Sequence, residues 1–352
     1  MDARRERIVV AMSGGVDSSV AAALLVDRGW DVVGVTLRLW DQAPHGADDA
    51  RRVCDHLGIE HHSCDRRGLF ADRVIEPFVA GYLSGETPSP CIACNRSVKF
   101  AEVFAFADRL GASKVATGHY ARIVYRDGRP ELHRGRDLGK DQSYFLFVLS
   151  DQELCKIEFP LSEMTKTEVR AEALRRGMRW AGSRQESQEL CFVPTGRYDA
   201  FVEARATSKI RPGRLVDAAG RVVGTHGGIH KFTIGQRKGL GVALGSRVFV
   251  VDIDPDTATV RLGSESELLG AGAMIKDTHF FDGVTFPRQA SVQVRYRHEG
   301  ALATITRDAS SAIIEFDAPV RAIAKGQSAV LYDGSRVLGG GTIQSVIRTE
   351  GR

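Results

Sequence analysis

Two short stretches of the chain contain side chains whose types and spacing suit chemistry. Residues 13–18 read Ser-Gly-Gly-Val-Asp-Ser, and residues 87–95 read Thr-Pro-Ser-Pro-Cys-Ile-Ala-Cys-Asn. The second stretch places Cys91 and Cys94 three positions apart, and a third cysteine in a marked context, Cys191, follows much later. A C-x-x-C pair can hold a metal, cycle between dithiol and disulfide, or carry reactive sulfur.

The loop at residues 13–18 has the composition of an anion-binding turn. It follows a short apolar run and precedes an apolar-periodic segment that predicts a helix. Two glycines let backbone N–H groups turn inward, and the helix N-terminus and serine hydroxyls add donors for a phosphate. The lysine of a Walker A loop is absent. An ordinary strand-to-helix turn is the alternative, but the full Ser-Gly-Gly-x-Asp-Ser pattern favours phosphate binding.

The three marked cysteines favour sulfur chemistry over a structural zinc. Zinc takes four ligands, and the chain has no second C-x-x-C to complete such a set. A thiolate can instead accept a sulfane sulfur as a persulfide, which a second thiol then attacks. Further zinc ligands would have to come from histidines: His61, His62 and His119. The remaining cysteines are expected to fill core positions: Cys54, Cys64 and Cys155.

An α/β fold would supply the elements that position these groups. Short apolar strands alternate with helical segments through the first 120 residues, which predicts a parallel sheet. Pro88 and Pro90 keep the cysteine stretch from lying within an uninterrupted helix. A hairpin over residues 121–135 turns at Asp127-Gly128, and Thr165 is a predicted N-cap. The predicted strands are residues 7–12, 31–39, 59–64 and 114–118, and the predicted helices are 18–28, 46–57, 68–84, 96–110 and 165–177.

After Cys191 the sequence changes to glycine-rich, alternating strands, which predict a small β-barrel or sandwich. The predicted fold is an α/β, Rossmann-like N-terminal domain, a small central mixed domain and a C-terminal β-barrel. Residues 205–250 hold nine Lys/Arg against one Asp, a local net charge of +8 in a chain of net charge +4. This basic block suits a polyanion, with a solvated loop face as the equal alternative. The predicted domains are residues 1–205, 206–270 and 271–352.

Composition is that of an ordinary globular protein, with 43% hydrophobic and 26% charged residues. The N-terminal sequence has neither the long apolar region nor the cleavage site of a signal peptide. No apolar run approaches the roughly 20 residues of a membrane span. We therefore expect a cytoplasmic protein without membrane attachment. Its six cysteines are then expected to be thiols, catalytic groups or ligands rather than structural disulfides.

The loop at residues 13–18 resembles the PP-loop of the ATP-pyrophosphatase superfamily, whose domains are adenine-nucleotide α-hydrolase-like. Those enzymes hold the pyrophosphate half of ATP while a substrate oxygen attacks the α-phosphate. Along nearly its whole length, the chain also resembles the bacterial tRNA-specific 2-thiouridylases. Eight blocks carry this likeness in order: AMSGGVDSSVAAALL, TPSPCIACNRSVKF, ATGHYAR, GKDQSYFL, SQELCFVP, IHKFTIGQRKGLG, QVRYR and GQSAVLYDG.

The resemblance implies a role for each matching residue. Cys94 would be the nucleophile and Cys191 the persulfide carrier, while Asp17 would lie near Mg²⁺ or the phosphates. The ATP site would comprise Ala11, Met12, Ser13, Gly14, Gly15, Val16, Asp17, Ser18, Leu37 and Gly118. The tRNA would contact Ser89, Pro90, Cys91, His119, Lys140, Asp141, Gln142, Arg295, Tyr296 and Gln327. Basic residues of the central block would position tRNA phosphates: Lys231, Arg237 and Lys238.

The implied activity is ATP-dependent 2-thiolation of the wobble uridine in tRNAs for Lys, Glu and Gln. Uridine O2 would be adenylated, and sulfur would come as a persulfide from a cysteine desulfurase or a relay protein. Related thiolases hold a 4Fe-4S cluster on three such cysteines, so Cys91, Cys94 and Cys191 fit either mechanism. A monomer binding one tRNA is expected. The alternatives are an amidating PP-loop ligase, for which no glutaminase segment is visible, and a nucleotide- or RNA-binding protein without chemistry.

Overall fold

A parallel β-sheet forms the centre of the N-terminal half, as the alternation of apolar strands and helices predicted. In the computed structural model, the strands of this half are β1 (Arg7–Ala11), β2 (Asp31–Arg38), β3 (Glu60–Asp65), β4 (Lys114–Ala116), β5 (Ala121–Arg126), β6 (Arg129–Arg134) and β7 (Ile157–Glu158). Five of them form the sheet in the order β3-β2-β1-β4-β7, and every pairing is parallel. Ile8, Val9 and Val10 of the central strand are fully buried, as expected for a strand covered on both faces.

The order of the strands creates a switch point between β1 and β4. The chain runs outward from β1 through β2 to β3, then returns to the other side of β1 as β4. Loops leaving the carboxyl ends of two such strands diverge to opposite faces of the sheet. Open α/β sheets bind ligands in the crevice that results. The Ser-Gly-Gly-Val-Asp-Ser loop follows β1 and therefore lies at this crevice.

The structure describes residues 5–40, 46–178, 190–193, 196–242 and 245–348. The chain divides into two units, and the predicted borders at residues 205 and 270 stay a prediction. The first unit comprises residues 1–74, 91–192 and 335–337, and the second comprises residues 75–90, 193–334 and 338–352. Within the described ranges, no helix is both long enough and apolar enough to cross a membrane.

Helices flank the strands at positions close to those predicted. They are α1 (Val16–Asp27), α2 (Gly46–Leu57), α3 (Arg67–Phe70), α4 (Glu76–Leu83), α5 (Pro90–Cys94), α6 (Phe100–Leu110), α7 (Asp151–Leu154), α8 (Lys166–Arg175) and α9 (Tyr198–Ala206). One π-helical turn, Ala71–Ile75, joins α3 to α4, and another, Asn95–Lys99, joins α5 to α6. Pro77 lacks the N–H that would bond to residue 73, which accounts for the interruption of the helix predicted over residues 68–84.

The cysteine stretch begins a helix earlier than the sequence indicated. A helix was predicted from residue 96, but the helical path starts at Pro90 and continues through the π turn to Leu110. Proline is favoured at the first helical position because its missing N–H has no partner there in any case. Cys91 and Cys94 are therefore three residues apart on a helical turn, where this spacing puts two side chains on one face.

A small mixed sheet follows in the second unit. Its strands are β8 (Gly213–Val216), β9 (Val222–His226), β10 (Phe249–Asp254) and β11 (Thr259–Gly263), in the order β10-β11-β8-β9. The β8–β11 pairing is parallel and the other two are antiparallel. The core of this sheet is apolar and includes Leu215, Phe232, Val250, Val260 and Leu262.

A closed six-stranded barrel ends the chain and confirms the predicted β-barrel. Its strands are β12 (Leu269–Phe280), β13 (Arg288–Gln293), β14 (Ala301–Asp308), β15 (Ser311–Arg321), β16 (Ser328–Asp333) and β17 (Arg336–Arg348). The order is β12-β15-β14-β13-β16-β17, and pairing of β12 with β17 closes the barrel. The interior is filled by residues such as Ile275, Val292, Ile305, Ile314 and Leu331, all fully buried. Closure removes the exposed strand edges that an open sheet would present.

Local turn and cap chemistry matches the sequence closely. Asp127 and Gly128 both have positive φ, 51° and 76°, as the two-residue turn of the β5–β6 hairpin requires. Thr165 caps α8 through a reciprocal pair of hydrogen bonds. Its hydroxyl accepts from the Glu168 N–H at 3.3 Å, and its own N–H donates to Glu168 Oε2 at 2.7 Å. This capping box defines the start of α8, whose first residue is Lys166.

Replacing Thr165 with alanine should destabilise the unit that contains α8. The change removes one hydrogen bond of the capping box, which costs about 0.5–2 kcal/mol in comparable helices. Urea unfolding of Thr165→Ala followed by circular dichroism measures the loss. Thr167→Ala is the matched control, because Thr167 is exposed within the same helix and caps nothing. Equal stability of the two variants would contradict the assigned role of the cap.

Candidate nucleotide and sulfur site

The PP-loop after β1 is organised by its own serines. The backbone N–H of Ser13 donates to Ser18 Oγ at 3.2 Å, and Ser18 Oγ donates to the Gly15 carbonyl oxygen at 3.2 Å. Gly14 has φ +75°, and a Cβ there would lie 2.6 Å from the carbonyl oxygen of Gly46. Residue 14 therefore has to be glycine for conformational and steric reasons alike. These contacts form a tight turn at the N-terminus of α1, a geometry suited to phosphate.

The loop leaving β4, residues 117–119, lies against this turn. A Cβ on Gly118 would be 2.7 Å from the backbone nitrogen of Ser18 and 2.8 Å from the carbonyl carbon of Asp17. Both neighbours are backbone atoms, which cannot move aside as a flexible side chain would. Gly118 thus permits contact between the loops that leave the two strands of the switch point. Leu37, the other residue predicted to touch the nucleotide, lies near the carboxyl end of β2.

Asp17 makes contacts that the sequence did not predict. Lys166 Nζ lies 2.8 Å from both carboxylate oxygens of Asp17, and the Tyr120 hydroxyl donates to Asp17 Oδ1 at 2.7 Å. Lys166 is 7% exposed, so its ammonium group is buried, and the carboxylate of Asp17 compensates its charge there. A separation of 149 residues hides this partner from any local pattern. The only sequence signal is the predicted N-cap one residue before it.

The contacts of Asp17 give no support to its predicted role as a magnesium ligand. The described residues contain no group of three or more His, Cys, Asp or Glu side chains placed to hold a metal ion. Both oxygens of Asp17 are engaged by Lys166, so the carboxylate does not fit the predicted role of a magnesium ligand as it stands. That role of Asp17 stays a prediction.

The three marked cysteines lie in one neighbourhood of the first unit. Cys94 is 8% exposed, whereas Cys91 and Cys191 each retain exposed surface. Cys191 is followed by Phe192, which is buried against Phe70 with ring centroids 5.6 Å apart in an edge-to-face contact. This aromatic contact anchors the short described segment that carries Cys191.

Surrounding protein raises the thiol pKa values in this neighbourhood. Desolvation raises the pKa of Cys91 and of Cys94 above the ordinary thiol value. It also raises the pKa of Cys191 to about 11, with further increases from the nearby Cys94 and Cys91. Protein atoms therefore crowd Cys91 and Cys191 although solvent still reaches part of their surface. The positive charge of Lys99 acts in the opposite direction on the pKa of all three thiols.

All six cysteines are free thiols in this structure. Because Cys91, Cys94 and Cys191 belong to the described ranges and form no metal-binding group there, the arrangement gives no support to a 4Fe-4S cluster. The expectation for the other cysteines was only partly right. Cys54 is buried, and desolvation raises its pKa to about 12. Cys64 is half-buried, and Cys155 is exposed, because residue 155 follows the short helix α7 at the surface rather than entering the core.

His119 follows Gly118, which contacts the PP-loop, and its own ring contacts Lys99 near the cysteines. Its Nδ1 is 2.7 Å from Thr117 Oγ1 and its Nε2 is 3.4 Å from Lys99 Nζ. The ring stacks on Phe100 at a centroid distance of 5.9 Å, and the residue is 9% exposed. Desolvation, with a contribution from Lys99, holds the pKa of His119 well below its usual value. The imidazole is therefore neutral at physiological pH.

In the 140–142 segment, predicted to contact tRNA, the side chains of Asp141 and Gln142 form hydrogen bonds within the protein. Asp141 is 5% exposed and accepts hydrogen bonds from Arg134, from the Gly135 N–H and from Ser143. Gln142 Oε1 accepts from the N–H of Tyr120 at 3.0 Å. These contacts define the shape of the segment, and the predicted tRNA contacts of its residues stay predictions.

The remaining predicted tRNA residues belong to the second unit, apart from Cys91. Gln327 Nε2 donates to the Thr87 carbonyl oxygen at 2.8 Å, so it holds the segment that carries Ser89 and Pro90. Arg295 Nη1 donates to the Arg321 carbonyl oxygen at 3.3 Å, and the guanidinium of Arg297 lies 5.5 Å from the ring centroid of Tyr296. In the basic block, Lys231 pairs with Glu203 at 2.7 Å, while Arg237 and Lys238 are exposed.

Three family models match the chain in succession. The model described as "tRNA methyl transferase HUP domain" matches residues 6–195. The "tRNA methyl transferase PRC-barrel domain" matches residues 199–264, and the "Aminomethyltransferase beta-barrel domain" matches residues 271–343. The first of these covers more than half of the chain and includes the PP-loop and all six cysteines.

Curated relatives match over nearly the full length of the chain. The tRNA-specific 2-thiouridylase MnmA of Sorangium cellulosum is 55% identical, covering 98% of this chain and 94% of that protein. The protein of the same name from Moorella thermoacetica is 47% identical, covering 96% and 99%. A solved NMN synthetase from Francisella tularensis is far more distant, at 18% identity and TM-score 0.34 over 56% of this chain and 72% of that chain. The chain therefore belongs to the tRNA-specific 2-thiouridylase family.

Proposed function

We propose that this protein is a tRNA-uridine 2-sulfurtransferase that thiolates carbon 2 of the wobble uridine at the expense of ATP. One observation carries the proposal. The loop leaving β4 contacts the PP-loop through Gly118 and reaches Lys99, beside the cysteines, through His119. One loop, residues 117–119, thus contacts both the turn that is suited to phosphate and the lysine that acts on the cysteines. The assignment of a tRNA uridine as the substrate follows the names of relatives that match nearly the full length of the chain.

The first chemical step is adenylation of the uridine. Uridine O2 attacks the α-phosphorus of ATP, the bond to the β-phosphate bridge breaks, and pyrophosphate leaves. The turn at residues 13–18 binds the phosphates through its N–H groups and serine hydroxyls. ATP and Mg²⁺ are the cofactors that membership of this ATP-using family implies, and Mg²⁺ would add positive charge near the phosphates. The ion pair of Asp17 with Lys166 links the first turn of α1 to α8.

The second step transfers sulfur. A persulfide on Cys191, loaded by a cysteine desulfurase or a relay protein, attacks carbon 2 through its terminal sulfur. A C–S bond forms, the C–O bond to AMP breaks, and AMP leaves with that bonding pair. Cys94 then attacks Cys191 Sγ, and the electron pair of the broken S–S bond stays on the uridine sulfur. The product is 2-thiouridine, the two cysteines end as a disulfide, and a cellular dithiol must reduce it before the next turnover.

The predicted tRNA residues would bind the anticodon stem and loop of the tRNA. Wobble bases are read by proteins after they leave their stack, which gives a buried sulfur access to carbon 2. Exposed Arg237 and Lys238 suit phosphate contacts that orient the tRNA without reading its sequence. We propose a monomer acting in the cytoplasm on the tRNAs for Lys, Glu and Gln.

The two alternatives make different predictions for pyrophosphate. An amidating ligase would release pyrophosphate without any stimulation by tRNA. A binding protein without chemistry would release none. The proposed enzyme should release pyrophosphate from ATP faster when unmodified tRNA is present, which a coupled phosphatase assay measures directly.

Replacing either Cys94 or Cys191 with serine should abolish 2-thiouridine formation. A serine hydroxyl neither carries a sulfane sulfur nor forms the disulfide that completes the transfer. Mass spectrometry of nucleosides from tRNA incubated with ATP, a sulfur donor and each variant measures the product. Cys155→Ser is the matched control, since Cys155 is an exposed free thiol outside the cysteine neighbourhood. Full activity of Cys94→Ser or of Cys191→Ser would refute the proposed mechanism.

Replacing Gly118 with alanine should impair the ATP-dependent step. The new Cβ would approach backbone atoms of Asp17 and Ser18 to within 2.8 Å, so either the PP-loop or the β4 loop must shift. We expect tRNA-stimulated pyrophosphate release to fall at least about tenfold, equivalent to about 1.4 kcal/mol. Gly68→Ala is the control, because residue 68 has open space around its Cβ position and lies in α3. An unchanged rate for Gly118→Ala would contradict the close approach of the two loops.

A further inference from the structure

Lys99 occupies a distinctive position in the first unit. It ends the π-helical turn Asn95–Lys99, which directly follows Cys94. π-helical turns within helices occur frequently at functional sites, where the extra residue redirects side chains. The ammonium group of Lys99 lies 3.4 Å from His119 Nε2, in the loop that also contacts the PP-loop. No role for this lysine was predicted from the sequence.

The hydrogen-bond pattern assigns the protonation of His119. A lysine ammonium group can only donate, so His119 Nε2 must accept from Lys99. The ring proton is then on Nδ1 and is donated to Thr117 Oγ1 at 2.7 Å. Packing against Phe100 and Phe159 keeps the ring in this orientation. A neutral, fully oriented imidazole thus holds the ammonium group without adding a second positive charge.

The positive charge of Lys99 acts on the pKa of cysteines from two segments. Cys91 and Cys94 come from α5, and Cys191 comes from the segment anchored by Phe192. A thiolate or persulfide anion in such crowded surroundings is poorly solvated and needs a compensating charge. A nearby lysine is one of the groups that stabilise a thiolate in proteins. Within the part of the chain that the structure describes, His119 takes one of the three ammonium protons, which leaves two for the sulfur anion.

We propose that Lys99 is the counter-ion of the reacting sulfur, held in position by neutral His119. The proposal rests on the proposed sulfur transfer and adds to it the group that stabilises the attacking anion. His119 is then a positioning residue for Lys99, in addition to the tRNA contact predicted from the resemblance. Among the described residues, the titratable groups whose pKa values Lys99 is found to lower are Cys91, Cys94, Cys191 and His119. Of these, the thiols are the groups that change charge between neutral and alkaline pH.

The test measures how readily each thiol ionises. Lys99→Met, Lys99→Arg and wild-type protein are alkylated with iodoacetamide from pH 6 to pH 11, and peptide mass spectrometry quantifies Cys94 and Cys191 separately. Loss of the positive charge should shift both alkylation profiles to higher pH by about one unit, a tenfold fall in rate at a given pH. Arginine keeps the charge and should restore most of the wild-type profile. Lys156→Met is the control, because Lys156 is exposed and not among the charges that act on these thiols.

Two further measurements keep the outcome decisive. If Lys99→Met does not fold, as judged by circular dichroism, His119→Ala replaces it and should shift the profiles in the same direction. In the thiolation assay, Lys99→Met should lower 2-thiouridine formation at neutral pH at least tenfold, with partial recovery at higher pH and in Lys99→Arg. Profiles of Lys99→Met, or of its replacement, that coincide with wild type would overturn the proposal. That result would leave the proposed function intact as long as Cys94→Ser and Cys191→Ser remain inactive.

Discussion

The absence of a side chain at residue 118 is the constraint on which the site depends. β4 leaves the sheet beside β1, and only a glycine lets its backbone approach the first turn of α1 to the observed distance. The next residue, His119, is thereby directed at Lys99, and Lys99 adjoins the cysteines. One close backbone contact therefore sets the spacing between the phosphate-binding turn and the sulfur groups. Ligands bind at the switch point of open α/β sheets. In this protein the two loops at that point can approach each other because residue 118 has no side chain.

The second recurring theme is a lysine ammonium group held by a partner, which is the carboxylate of Asp17 for Lys166 and the imidazole of His119 for Lys99. The ammonium group of Lys166 is buried against the carboxylate of Asp17, and Tyr120 adds a hydrogen bond to the same carboxylate. The phosphate-binding turn has no lysine of its own, yet a lysine from α8 lies directly beside it. In the sulfur neighbourhood the surroundings oppose ionisation of the thiols, and Lys99 opposes that effect. Desolvation raises the free energy of an isolated charge and strengthens its attraction to a partner, so these pairs are suited to positioning reactive groups.

Several residues that the family resemblance assigns to tRNA also organise the protein itself. Asp141 and Gln142 shape their own segment through contacts with Ser143 and Tyr120. Gln327 holds the backbone of Thr87, shortly before the cysteine-bearing helix begins. These side chains form hydrogen bonds within the protein, so contacts of the chain itself shape the surfaces that are predicted to bind tRNA. Preorganisation of this kind lowers the entropic cost of binding a large, flexible partner.

The sequence by itself determined the local structure and the chemical types of the site. Apolar periodicity located the strands and helices of the parallel sheet, Thr165 and Asp127-Gly128 specified a cap and a turn, and the Ser-Gly-Gly-x-Asp-Ser pattern indicated phosphate. These features depend on neighbours within a few residues, which a sequence displays directly. Only the tertiary structure decided which distant groups meet: Lys166 with Asp17, Gly118 with the PP-loop, and Lys99 with His119 and the cysteines. It also placed Cys155 at the surface and closed the barrel through β12 and β17, because such outcomes depend on long-range packing that no local pattern records.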